Sequence, residues 1–159
     1  MNRNVISLLA VLLLCFSNVM PASARTVETD DVVGKWMTFK EGRHRSTIEI
    51  YRTEKSTYEG RIAWGEHEGL LDTKNPDPAK RSRVLVGQVI LRDFIFAGEN
   101  KWKNGHIYDP DSGHEYSSSM QLDDDGRDRN TLRLRGFIGI SLLGRTEKWT
   151  REGTAAAVK

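Results

Sequence analysis

The stretch "NGHIYDPDSGHEYSS" (residues 104–118) concentrates two histidines, two aspartates, a glutamate and two tyrosines. Such a set could ligate a metal or exchange protons. Its spacing decides against the metal. In "DPDSGH", proline at the first loop position and glycine at the fourth fit a four-residue hairpin loop whose last residue has positive φ. Asp109 then faces His114, Tyr108 faces Glu115, Ile107 faces Tyr116 and His106 faces Ser117. Side chains alternate faces along a strand, so Ile107, Asp109, His114 and Tyr116 share one face, and His106, Tyr108 and Glu115 the other. The two histidines point apart, and neither face collects enough ligands for one ion. A cross-strand Asp109–His114 pair near a sheet rim is the expectation. Tyr108, Asp109 and Tyr116 remain candidate ligand contacts.

Two other stretches invite chemistry and lack its parts. "QLDDDGRDRNT" resembles a calcium loop with Gly126 at the sixth position and Asp123 and Asp125 at the third and fifth. Gln121 stands where the first carboxylate belongs, and Leu132 where the bidentate glutamate belongs. A solvated turn is expected. "GISLLG" (Gly139 to Gly144) approaches a nucleophile elbow around Ser141, but Leu143 occupies a required glycine position. No catalytic residue, metal or cofactor is therefore assigned, and an enzyme using Asp109 or Tyr108 is the weakest of three functional readings.

Arginine is the more informative residue type. Arg81, Arg83, Arg135 and Arg145 are candidate ligand contacts, the first two near Asn75 and Asp77 in the chain. In "TLRLRGF" leucine and arginine alternate, so Leu132 and Leu134 face one way and Arg133 and Arg135 the other. Leucines filling a lumen with arginines in water is one reading. The other sets Arg135, with Asp109 or Asp77, at a barrel mouth as an anchor for an anionic ligand.

The elements that would position these residues start after a leader. Residues 1–24 show one basic residue, Arg3, an apolar run from Val5 to Phe16, and a small-residue end at Ala22-Ser23-Ala24. This is the pattern of a secretory signal peptide cut after Ala24, and the run is too short to span a bilayer. Export to the periplasm or medium is the expectation. The sole cysteine, Cys15, leaves with the leader, which removes disulfides and thiol chemistry from the remainder. Loss of Arg3 lowers the formal net charge by one from +2. With acidic and basic residues interspersed, nucleic acid is an unsuitable partner.

From Val32 onward, short runs rich in β-branched and aromatic residues recur between glycine, proline and charge clusters. They are Val32 to Phe39, Arg45 to Tyr51, Ser56 to Trp64, Gly87 to Phe96, Lys101 to Asp109, His114 to Asp123, Thr131 to Ile138 and Arg145 to Arg151. Short linkers favour antiparallel neighbours, and closure of about eight such strands removes exposed edges. The fold class is thus all-β, a single antiparallel, roughly eight-stranded barrel over residues 25–151, with 152–159 a flexible tail. The connection Gly65 to Val86 is long for a compact domain and is expected over the mouth. Asp77 is placed to cap one helical turn through "PAKRSR".

Three segments, "KNPDPAKRSRVLVGQVIL" (Lys74 to Leu91), "GHIYDPDSGHEY" (Gly105 to Tyr116) and "LRLRGFIGISLLGRTEKWTR" (Leu132 to Arg151), together resemble domain-of-unknown-function family 2147 of bacterial exported proteins. The resemblance implies a lipocalin-like barrel and transfers no catalytic residue. Gly34-Lys35-Trp36 is similar to the "GxW" signature of lipocalins and calycins. That likeness implies a tryptophan closing the barrel base under a late arginine, supplied by Arg145 or Arg151. Gly34, Trp36, Trp149 and Arg151 are accordingly assigned to barrel closure, with Trp64 and Trp102 at the rim or cavity wall.

The functional expectation is a binding module for a small, partly apolar molecule. The alternative is an envelope protein that docks a partner through its arginine- and tyrosine-bearing rim.

Overall fold

A computed structural model describes residues 28–123, 129–139 and 144–154. The leader (residues 1–24, with Cys15), the Asp125–Gly126 turn and Ser141 lie outside the described residues. Eight strands run in sequence order: β1 Gly34–Lys40, β2 Arg43–Arg52, β3 Tyr58–Gly65, β4 Val89–Phe96, β5 Lys101–Asp109, β6 His114–Leu122, β7 Thr131–Phe137 and β8 Arg145–Arg151. Each is antiparallel to its sequence neighbours, and β8 returns to β1 to close the barrel. Closure pairs only Trp36 with Arg151 and Met37 with Thr150, whereas β5 and β6 pair from Lys101↔Gln121 to Asp109↔His114. Among the described residues no helix is long and apolar enough to cross a membrane.

Alternation decides which residues enter the lumen. In β7, Leu132 and Leu134 are buried while Arg133 is exposed. Removing each large apolar side chain from water contributes about 1.5–3 kcal/mol. The core is densest at the closed end, where Val32, Trp36, Tyr58, Phe94, Trp102, Leu122 and Leu132 are all nearly inaccessible.

Bulges override simple alternation, two of them in β4 and β5. Asp93 has φ 63°, and both Leu91 and Phe94 turn inward around it. Asn104 has φ 61°, and the β5–β6 register shifts between Trp102 and Gly105. An extra residue in one strand reverses which side chains face the core beyond it. This corrects the rim assignment of Trp102. It is fully buried, donates its indole N–H to Thr29 O at 3.1 Å, and meets Tyr58 edge-on and Phe96.

At the same end the GxW residues act together. Trp36 is fully buried and donates its indole N–H to Val32 O at 2.8 Å. The Arg151 guanidinium lies over its ring, 4.2 Å from the centre. Gly34 has φ 131°, and a Cβ there would come 2.9 Å from Arg151 Nη1. Glycine is required at that position twice over, by backbone and by space.

Between β3 and β4, residues 66–88 form an ordered connection. Leu71 and Val84 bridge, Leu85 N donates to Leu70 O, and Asp72 N donates to Arg83 O, both at 2.9 Å. Its tip carries a 3-10 turn, Pro78–Lys80, capped by Asp77, whose carboxylate accepts from Ala79 N at 3.0 Å. That bond, with Lys80 beside it, holds the Asp77 carboxyl below its usual range.

Candidate ligand-binding cavity

The end opposite Trp36 is open. There the barrel holds a cavity of about 870 Å³, within the span of small-molecule sites. Its inner wall is apolar, with Ile48, Ile62, Leu85, Ile90, Ile107 and Leu134 from different strands and the long connection. Trp149 forms part of the floor and is the one tryptophan that lines the cavity. Gly136 also lines it, and leaves space that a side chain would otherwise fill.

The rim is polar and largely self-compensated. Arg45 pairs with Asp111 at 2.6 Å and Lys40 with the same carboxylate at 3.4 Å. Glu66 pairs with Arg43 at 3.6 Å. Thr38 and Ser46 share a 2.7 Å hydroxyl contact. At the open end, β8 presents Arg145 and Glu147, both exposed, on the face it shares with Trp149. Glu147 accepts a long bond, 3.4 Å, from the Trp149 indole N–H. Arg145 has no acid partner among the described residues.

The hairpin register is the one derived from its loop: Asp109↔His114, Tyr108↔Glu115, Ile107↔Tyr116 and His106↔Ser117, with Gly113 at φ 76°. Tyr116, Asp109 and Tyr108 all border the cavity. The Asp109 carboxylate, however, turns into its own loop rather than to His114. It accepts from Asp111 N at 3.0 Å and from the Ser112 hydroxyl at 2.7 Å. The His114 ring instead lies edge-on to Tyr116. Among the described residues no three His, Cys, Asp or Glu side chains converge as a metal group would.

Tyr108 points to the long connection. Its hydroxyl donates to Asp72 Oδ1 at 2.6 Å, and Asn75 Nδ2 donates to Asp72 Oδ2 at 2.6 Å. Asp72 is buried, and burial beside this carboxylate pushes the Tyr108 phenol up to about 12. Lys74 Nζ donates to Asp111 O at 2.6 Å, and a Cβ on Gly113 would come 2.0 Å from Lys74 O. "KNPDP" and "YDPDSG" therefore form one interface that clamps the connection to the β5–β6 hairpin.

The remaining candidates separate. Asn75 and Asp77 serve this clamp: Asp77 N donates to Asn75 Oδ1, and Arg81 Nε donates to Asn75 O at 2.8 Å. Arg81 and Arg83 are exposed on the connection, away from the cavity lining. Arg135 projects outside the barrel and donates to the Thr146 hydroxyl at 3.0 Å. Of the four arginines, only Arg145 lines the cavity. Trp64 lies on the outer wall, 41% exposed and stacked on His44 with centroids 4.5 Å apart.

Sequence reasoning passed over Glu147, Arg45, Asp111 and Asp72. The alternation in "RTEKWTR" places Glu147 with Trp149 and Arg145 once Trp149 is known to face inward. Asp72 sits in a connection without periodicity, and no pattern marks it.

A closed eight-stranded antiparallel barrel with an open apolar cavity and a tryptophan–arginine base has a lipocalin-like fold. The structure superposes on protein HP1028 from the human pathogen Helicobacter pylori, described as belonging to the lipocalin family, with a TM-score of 0.66. Identity is 23%, over 79% of this chain and 84% of that one. No curated protein matches the sequence. Residues 34–151 match the family described as an uncharacterized protein conserved in bacteria, domain-of-unknown-function family 2147, and the chain belongs to that family.

Proposed function

We propose that this protein is an exported carrier that holds one small, partly apolar molecule in the barrel. The observation that carries the reading is the open cavity of about 870 Å³, apolar within and charged at its rim. Well-packed barrels of this size leave no such space, whereas a concave apolar site with few polar groups is the usual form of a ligand pocket. Export is supported by the composition of residues 1–24.

Trp149 provides the assay. Titration with an uncharged naphthylamine dye should give saturable, one-to-one quenching of tryptophan emission, with a matching complex in native mass spectrometry. Absence of saturable binding by uncharged, anionic and cationic apolar probes alike would remove the reading. Export is checked separately by cell fractionation and N-terminal sequencing. A chain starting at Arg25 outside the cytoplasm is expected, and an intact leader on a cytoplasmic chain would refute it.

A further inference from the structure

Within the apolar cavity, the charges are not distributed evenly. The cations Lys40 and Arg45 share the single carboxylate of Asp111, and Glu66 pairs with Arg43. Asp109 is satisfied by its own loop. The charged side chains of the lining that join neither an ion pair nor a loop network among the described residues are an opposite-charge couple on β8, Arg145 and Glu147. They occupy alternate positions of one strand, so their Cα atoms are about 7 Å apart and their side chains leave the same face. No ion pair among the described residues engages either one. Both keep solvent access through the open end, and the wall around and below them is apolar.

We infer that the cavity takes a single-chain amphiphile whose head group carries both an anion and a cation. The anionic group sits on Arg145 and the ammonium on Glu147, while the hydrocarbon lies against Trp149, Leu134, Ile107 and Ile90. The guanidinium fork suits an oxyanion such as phosphate. A carboxylate facing an ammonium compensates the second charge. An uncharged apolar ligand would cover part of the water around both charges and offer neither of them a partner, which is unfavourable. A singly charged head would leave one of them unmatched.

This inference rests on the carrier reading and sharpens it to a ligand class. Calorimetric titrations with dodecylphosphocholine, dodecyl phosphate, dodecyltrimethylammonium and dodecanol, each below its aggregation concentration, test it. The zwitterionic probe should bind about tenfold tighter than either singly charged one, the factor that one matched charge of about 1.4 kcal/mol gives. Arg145→Gln should erase the zwitterion's advantage over the ammonium probe. Glu147→Gln should erase its advantage over the phosphate probe. Both side chains reach solvent, and unchanged melting temperatures will establish that the variants fold. Equal affinity of all four probes, or substitutions that weaken them all alike, would overturn the head-group assignment and leave the carrier reading standing. Failure of every probe, dodecanol included, would overturn both.

Discussion

The Arg151 guanidinium stacks on Trp36 and donates to Val33 O at 3.0 Å, Arg129 O at 3.1 Å and Asp31 O. One side chain thus ties the last strand to the first strand's indole and to the segments that close the base. Burial pulls its pKa below the ordinary arginine value, while the chemistry of guanidinium keeps it charged. Arg151→Met should lower stability by about 2–4 kcal/mol, because three carbonyls lose a charged donor and the cation–π contact goes. Arg151→Lys should recover little of this, since one ammonium nitrogen cannot span the acceptors that three guanidinium nitrogens reach, nor lie flat on the indole. Urea unfolding midpoints check both. A loss below 0.5 kcal/mol would show that the base closes without this residue, a threshold set by ordinary surface substitutions at about that size.

Tyr108→Phe should free the long connection from the hairpin. The change leaves buried Asp72 without its phenol donor, at a cost of about 1–3 kcal/mol. Limited trypsin digestion should then cut faster at Lys74, Lys80, Arg81 and Arg83, with the barrel core still protected.

The same phenol predicts a response to base. An unfolded tyrosine ionises near 10, and the fold raises Tyr108 to about 12, so folding favours the neutral form. Its stabilising contribution is complete below pH 10 and disappears as pH rises through about 12. Tyr51 and Tyr58 are raised too, each by burial first and then by an acidic neighbour. Comparing alkaline unfolding of the parent with Tyr108→Phe isolates the Tyr108 component. The variant should lose less stability over that window.

Gly113→Ala attacks the clamp from the other partner. The added Cβ meets Lys74 O, and φ 76° disfavours any L side chain. A loss of about 1–3 kcal/mol is expected from strain and overpacking. Its tryptic pattern should match that of Tyr108→Phe, because both release one interface.

Gly136→Val should fill the cavity without harming the barrel. The nearest neighbours of a Cβ there are Ile107 and Tyr116 at 3.5 and 3.6 Å, which is ordinary contact. Valine also suits a strand. Stability should change by less than about 1 kcal/mol, while affinity for the naphthylamine dye falls at least fivefold. Unchanged affinity would place the dye somewhere other than the lumen.

Much of this architecture is legible in the chain because period-two alternation and turn residues act locally. Alternation set Leu132 and Leu134 on one face and Arg133 and Arg135 on the other, and the proline–glycine loop fixed the hairpin register. Bulges defeat the same rule. Nothing in "KWKNGH" marks Asn104 as the residue with positive φ, so Trp102 could not be placed by counting. The candidate site was harder. Whether Arg145 or Arg135 enters the cavity depends on which face of each strand is buried, a property of the closed barrel. The polar "NPDP" and "DPDSG" segments read as ligand contacts because they are rich in side-chain donors and acceptors. Their partners prove to be Asp72, Lys74 and their own loops, which no spacing within either segment could reveal.

The two-pair seam between β1 and β8 gives the barrel a built-in weak line. Above Met37 and Thr150 the facing edges share no ladder bonds, so amide hydrogens of Thr38 to Lys40 on that side have little to protect them from exchange. A wall that parts there would breathe like a slit, widening beside Arg145 and Glu147 while the hairpin on the opposite side stays clamped. Deuterium uptake should therefore be fastest along this slit.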